Sequence, residues 1–371
     1  MTVFVTAAVL LTAGCTTTED AGVMTPVWEH ETGGPIGAPP TAVGDVVVVA
    51  PEGGPIVAMD VETGAVRWTF DPPERIWHRT LATDGVQIFV GLEGGRLVAI
   101  DAASGVSIWE QDLGIDTQHA PFVDEGTLYV PTTFVGPGLE PNPDGDAKVF
   151  ALDAGDGEVI WKAATGSYIL QTPLRSGGVV YVAGVFDDPQ PIEEGGHTRI
   201  LALSASDGAS LWTYESEDGF AKGLHLADGA LAFVGYQDFV NGIGAESGEL
   251  LWRRHTDNWV PDLAGSEEAV YFGSANTVVH AVAMADGEPI WEYDIPEGTF
   301  NYVLGAPVLV DGALYFVTQQ GDVVALDAAD GTELWHQPTE IAARTGPLVH
   351  GDQLVIGDAE GVVRAFRLPG A

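Results

Sequence analysis

With a single cysteine, Cys15, among 371 residues, the chain cannot form an internal disulfide. Lysine is almost as scarce, limited to Lys148, Lys162 and Lys222, and 14 basic residues face 54 acidic ones for a formal net charge of −40. That balance excludes nucleic acid as a partner, because phosphate binding needs a basic footprint. It also strains a compact fold at low ionic strength through self-repulsion that molar salt screens. The acidic, lysine-poor composition resembles that of halophilic proteins, archaeal ones in particular. No apolar run is long enough to span a bilayer, and no helical heptads occur. The G-x-S-x-G elbow, the H-E-x-x-H zinc helix and the P-loop lysine are all missing. The nine histidines are scattered, so a metal cluster would have to assemble from distant segments such as those of His78, His119 and His225.

What the sequence has in abundance is repetition. VALDAADGTELW, from Val324 to Trp335, recurs as VAMDVETGAVRW (57–68), VAIDAASGVSIW (98–109), FALDAGDGEVIW (150–161) and LALSASDGASLW (201–212), then as NGIGAESGELLW ending at Trp252 and HAVAMADGEPIW ending at Trp291. Such a period marks a repeat architecture. Alternation of Val324 and Leu326 suits a strand with one buried face; the Asp327 carboxylate can bond turn amides, and Gly331 can take the positive φ of a tight hairpin. Trp335, at a fixed place on the next strand, is suited to fill the gap between neighbouring sheets with its indole N–H on a backbone carbonyl. Asp311-Gly312, matched by Asp84-Gly85, Glu125-Gly126, Gly177-Gly178 and Asp228-Gly229, marks a second hairpin in each unit. Each unit therefore supplies four antiparallel strands, A to D, which make a propeller blade.

The tryptophans count the blades: Trp28, Trp68, Trp109, Trp161, Trp212, Trp252, Trp291 and Trp335, spaced 40, 41, 52, 51, 40, 39 and 44 apart. Residues 345–366 read as strands A, B and C without a tryptophan, and the strand around Trp28 lacks the strands before it. The two should combine into one blade that closes the ring and leaves no free sheet edge. The expectation is an all-β, eight-bladed propeller over residues 26–371, one domain and one monomer.

Through the pattern A-[LI]-D-x-x-[TSD]-G-x-x-x-W, carried across residues 26–368, the chain resembles the PQQ-like repeat family of eight-bladed propellers. That family includes quinoprotein alcohol and glucose dehydrogenases, the lipoprotein subunit of the bacterial outer-membrane protein assembly machine, and archaeal surface proteins. The pattern is specific for fold and not for activity. The dehydrogenase resemblance would imply PQQ, a calcium ion, an Asp base and, in the alcohol enzymes, a pair of neighbouring cysteines that a chain with one cysteine lacks. Asp60, Asp101, Asp153 and Asp327 sit at repeated turns where other copies carry Ser204, Gly244 and Ala283, which argues for turn structure. The resemblance to the assembly-machine lipoprotein implies a binding or scaffold protein with no catalytic residues and no cofactor. A PQQ-dependent dehydrogenase at the cell surface, with PQQ and calcium, is the alternative.

At the N-terminus, Val3 to Thr12 is an uncharged run like a signal-peptide core, and Leu11-Thr12-Ala13-Gly14-Cys15 resembles a lipobox. It departs from one in having Thr12 where Leu is usual and no Lys or Arg ahead of the run. Residues 1–15 are thus expected to be a signal peptide whose Cys15 becomes lipidated, and 16–25 a polar tether. This places the propeller on the extracellular face of the cell membrane.

The two wide spacings come from insertions between strands B and C, TFVGPGLEPNPDGDAK (133–148) and VFDDPQPIEEGGHTR (185–199). Because direction reverses at each hairpin, B-to-C loops and D-to-A crossings share one face, where binding is expected. Asp144 and Asp146 in the first insertion make a weak calcium candidate, short of the full ligand spacing of a calcium loop. Around strand A, the strand nearest the central channel, lie His78, Arg79, His119, Gln171, Lys222, His225, Trp259, Tyr302 and Arg344. On so acidic a chain, a cationic and aromatic mouth of this kind would draw a small anionic ligand or an acidic segment of a partner protein.

Overall fold

The computed structural model describes residues 23–133, 147–167, 169–186, 197–216, 221–235, 238–296, 301–339 and 341–369, with the side chains of 77–80, 169 and 186 not among them. Cys15, residues 16–22 of the tether, Asp144, Asp146 and the centres of both insertions lie outside these residues; the end of the expected tether belongs to the propeller instead, since Met24 is buried and Thr25 begins a strand.

The strands form eight antiparallel sheets, each an A-B-C-D meander. Seven are continuous in sequence: 41–70, 76–112, 122–164, 174–216, 222–255, 263–294 and 308–338. In the eighth, Leu348–His350, Gln353–Gly357 and Val362–Arg367 are completed by Thr25–Glu31 as the outer strand. Thr25 pairs with Arg367 and Glu31 with Val362, so the ring closes through the N-terminal strand as the tryptophan count requires. Strands A of successive blades touch all the way round.

Each repeat position has a packing reason. The Trp335 strand pairs across Ala325, and the corresponding partners of Trp68, Trp109, Trp161, Trp212 and Trp291 are Ala58, Ala99, Ala151, Ala202 and Ala281. A small residue there makes room for the indole. At Gly242, opposite Trp252, an added Cβ would come within 2.2 Å of the ring. A bulge at the residue just before the tryptophan, in all seven of these blades, re-aims its side chain toward the next one. There seven indoles donate to a turn carbonyl: Trp28 to Val61, 2.7 Å, and so on to Trp291 and Ala328, 3.0 Å. Their rings also lie on the turn glycine of that blade. The turn carboxylates do as expected: Asp327 Oδ1 accepts from the Ala329 amide at 2.8 Å, and Asp101 Oδ1 from that of Ser104 at 2.8 Å.

Gly331 is therefore fixed twice, by φ of 74° and by Trp291, whose ring carbons an added Cβ would approach to 2.7 Å. Gly312 also has positive φ, 79°, but an added Cβ would meet nothing within 4 Å. Gly312→Ala should cost about 1–2 kcal/mol, the left-handed backbone penalty alone. Gly331→Ala should cost about 3–5 kcal/mol, since the strain of a blocked close contact adds. Denaturant titration of the two variants measures the difference, and equal costs would mean the ring yields freely.

With the blades numbered 1 to 8 in the order given, one strand C position facing the interior is apolar except in blades 5, 6 and 8, where Asn241, His280 and Arg364 stand. The strand C position next to the tryptophan partner is Val57, Val98 and Val324 in blades 1, 2 and 7 but Asn241 in blade 5. Asn241 is fully buried, and neither amide atom has a hydrogen-bond partner among the described residues. Unsatisfied buried amides are costly. Asn241→Val, the residue of the equivalent blades, should stabilise the protein by about 1–2 kcal/mol; a loss of stability would assign the amide a partner.

Candidate binding site at the channel mouth

Isolated bridges Ile36–Pro51, Val303–Thr318 and Ala343–Asp358 tie D-to-A crossings to the ends of strands B, which puts crossings and B-to-C loops on one face. We call it the loop face, and the opposite side, with the A-to-B and C-to-D hairpins, the turn face. Among the described residues, blade 4 extends its strands B and C farthest on the loop face: they run Val179–Phe186 and His197–Ser204, and Ile169–Leu170 adds a fifth short strand against Val185 and Gly184. The second insertion is thus partly regular structure.

At the centre of the ring lies a cavity of about 500 Å³ lined by Pro39, His119, Gln171, Asp262, Gly305 and Thr345 among others. Crossing segments of the form x-[Ala/Thr/Gly]-Pro, seen in 119–121, 171–173, 305–307 and 345–347, bring short side chains and backbone to the wall. Blades 7 and 8 approach there backbone to backbone, since a Cβ on Gly305 would fall 2.1 Å from the Gly346 nitrogen.

The nine rim residues divide. His119 and Gln171 line the cavity, the Gln171 amide bonded to the Ala183 carbonyl at 2.8 Å. Lys222, Trp259 and Tyr302, from blades 5, 6 and 7, form a row: the Lys222 ammonium stands 5.2 Å from the Trp259 ring centre, and Tyr302 meets that ring edge-on at 6.3 Å. All three are half-buried. The row is held from behind, as the Trp259 carbonyl accepts from the Ala275 amide at 2.8 Å and the Tyr302 carbonyl from that of Gln319 at 2.9 Å. Arg344 is exposed beside the bridge residue Ala343. His225 is not with them. A bulge at Gly223, φ 52°, turns strand A, and the His225 ring lodges between blades 5 and 6 with Nε2 2.8 Å from the Ser266 carbonyl. Of His78 and Arg79 only the backbone is described, within the bulged stretch between Ile76 and Leu81. Asp262 was not singled out from sequence; its place ahead of strand A, at Pro261-Asp262-Leu263, is the signal that could have found it.

One arrangement looks catalytic. His280 Nε2 lies 2.9 Å from Ser274 Oγ, and its Nδ1 3.3 Å from Glu292. Yet Ser274 is 1% exposed and its hydroxyl also reaches the Val278 carbonyl at 3.1 Å, so a substrate carbonyl could not approach the oxygen. Burial pushes His280 below its usual 6.5, against the pull of Glu292, and leaves a neutral imidazole stacked on Phe272 at 5.1 Å. The group staples blade 6.

The repeat family also implies a quinone site in the channel. PQQ is a tricarboxylate, but the cavity wall among the described residues carries Asp262 and no Lys or Arg. These residues do not fit it. Among the described residues, no three His, Cys, Asp or Glu side chains gather as metal ligands would.

A PQQ-repeat sequence profile described as outer membrane protein assembly factor BamB matches residues 24–76, 73–133, 93–237, 196–299 and 238–370. The chain is 28% identical to the BamB assembly factor of Yersinia pestis over 242 residues, which are 58% of this chain and 55% of that one. It is 26% identical to that of Burkholderia pseudomallei over 383 residues, 97% of this chain and 74% of that one. The matches to the Yersinia pestis and Moranella endobia proteins thus span about half of those relatives, 55% and 56%. The crystal structure of BamB from Moraxella catarrhalis superposes with a TM-score of 0.70 at 19% identity, covering 93% of this chain and all of that one. A europium-containing methanol dehydrogenase superposes with a TM-score of 0.73 at 15% identity, covering 93% of each. At such identities the structural likeness speaks for the fold alone.

Proposed function

The chain belongs to the PQQ-repeat family of the outer membrane protein assembly factor BamB, and from that membership we propose that it is a lipid-anchored, extracytoplasmic scaffold that docks a partner protein on its loop face. The Lys222–Trp259–Tyr302 row carries this reading. A half-buried aromatic pair with a cation held over one ring is the composition of an interface hot spot, and it is preorganised by backbone bonds behind it. An acidic segment of the partner suits Lys222, with apolar contact on the two rings. His119, Gln171 and Arg344 extend the surface, and the described ends of strands B and C in the two blades that carry the insertions open on the same face. The acidic composition supports a high-salt setting for this assembly.

Trp259→Ala, Tyr302→Ala and Lys222→Gln should each weaken a protein partner recovered with the wild-type chain by about tenfold or more, with melting temperature unchanged. Binding of all three variants at wild-type strength would move the docking site elsewhere.

A further inference from the structure

The N-terminal strand does more than close the ring, because its direction fixes where the chain leaves the body. Thr25 pairs with Arg367, which pairs in turn with Gln353 beside the Gly351-Asp352 hairpin, so residue 25 lies at the turn face. At the other end, the Thr32 amide reaches the Gly361 carbonyl at 2.8 Å on the loop face. The exit is fastened. Met24 is 1% exposed between blades 7 and 8; its amide donates to Gln337 Oε1 at 2.6 Å, and Gln337 Nε2 donates to its carbonyl at 3.4 Å.

We propose that the propeller stands with its turn face toward the membrane and its loop face away from it, so that its partner is an extramembrane domain met on the membrane-distal side. This rests on the reading of Cys15 as the lipidated residue. From Cys15 to Met24 the chain can reach about 30 Å when fully extended. To lay the loop face on the membrane, the tether would have to climb the outside of blade 8, about 20 Å for a six-residue strand, and then pass the rising crossings and loops. Little reach is left for that turn.

Charge sets the distance. An acidic residue stands in seven of the eight A-to-B hairpins, among them Asp45, Asp84, Glu125, Asp228, Asp311 and Asp352, and in all seven continuous C-to-D hairpins. Arg67, Arg175 and Arg367 on this face are all committed to ion pairs with such carboxylates. Anionic headgroups therefore repel the face to which the anchor is tied, and the body is held off at tether length. Salt or divalent cations should shorten that standoff.

The test uses the sole cysteine. Residues 15–371 are coupled through Cys15 to a maleimide lipid in vesicles of neutral and anionic phospholipid, with a fluorescent amino acid genetically encoded at Ala329 on the turn face or Gln320 on the loop face of blade 7. Energy transfer to a headgroup dye should place residue 329 nearer the membrane by about 20 Å, the height of a strand. Inserting about twenty Gly/Ser residues after Thr18 should, in anionic vesicles at low salt, reverse that order, because the freed body turns its acidic face away. Equal distances with the native tether, or an order unchanged by the long one, would overturn the proposal. Natural lipidation is read separately: membrane flotation of the full chain, lost in Cys15→Ser, tests that premise without touching the orientation result.

Discussion

A chain that begins at Thr32 should not fold cooperatively. It would lose the outer strand Thr25–Glu31, leaving Val362–Arg367 as an open edge with a row of unpaired backbone groups. It would lose Trp28, whose indole donates to the Val61 carbonyl at 2.7 Å and lies where a Gly64 Cβ would be. It would also lose Met24 from the cluster of Val317, Val323, Ile341, Leu354 and Phe366. Two anchors of this size cost about 3–5 kcal/mol each when removed from a core, and their sum rivals the 5–15 kcal/mol that separates a folded domain from its unfolded chain. Both junctions of blade 8 open at once, because Met24 serves the seam with blade 7 and Trp28 the seam with blade 1. Far-ultraviolet circular dichroism should show a broad, non-cooperative melt, with dye binding to exposed apolar surface. A circular permutant starting at residue 32 and carrying residues 23–31 after Leu368 through a short Gly/Ser turn should recover the sharp transition, since Thr25 already faces Arg367 across one ladder. A truncated chain that melts like the parent would show that closure contributes nothing.

Much of this fold was legible because each blade states its own packing rule. The spacing of Trp68, Gly64 and Asp60 encodes a hairpin, and its recurrence encodes the ring. The same text hid why Ala58 recurs, since only the pairing with Trp68 shows that a larger side chain would meet the indole. It also hid Met24, which by register takes the place of a turn glycine in the closing blade and has no repeat to announce it. The channel mouth was half legible. Position ahead of strand A gives the height of a residue along the blade but not its direction around the strand, and a local bulge decides that. Lys222 therefore reaches Trp259 while His225, three residues on, turns into the blade interface. Both are read alike by sequence, and Gly223 between them carries the difference.

Stability should rise with salt, by about 5–10 °C in melting temperature between 0.1 and 2 M NaCl. The excess of 40 negative charges is unevenly placed, since the hairpins of the turn face repeat carboxylates from blade to blade. Screening lengths of about 10 Å at 0.1 M and about 3 Å at 1 M bracket the spacing at which such neighbours repel. If each excess charge costs about 0.1–0.2 kcal/mol unscreened, the whole is several kcal/mol, and a chain this long gains little more than a degree per kcal/mol. Salting-out also stabilises folded proteins, so salt dependence alone would not identify repulsion. Asp228 and Asp311 separate the two effects. Their φ values are 46° and 50°, a left-handed backbone that asparagine also accepts, so changing both to Asn removes charge and keeps the turn. The double variant should melt higher than the parent at 0.1 M NaCl and converge with it at 2 M, while sucrose should raise both equally. Parallel curves at all salt concentrations would mean that the turn-face carboxylates do not strain the ring, and that the acidity serves hydration of the surface instead.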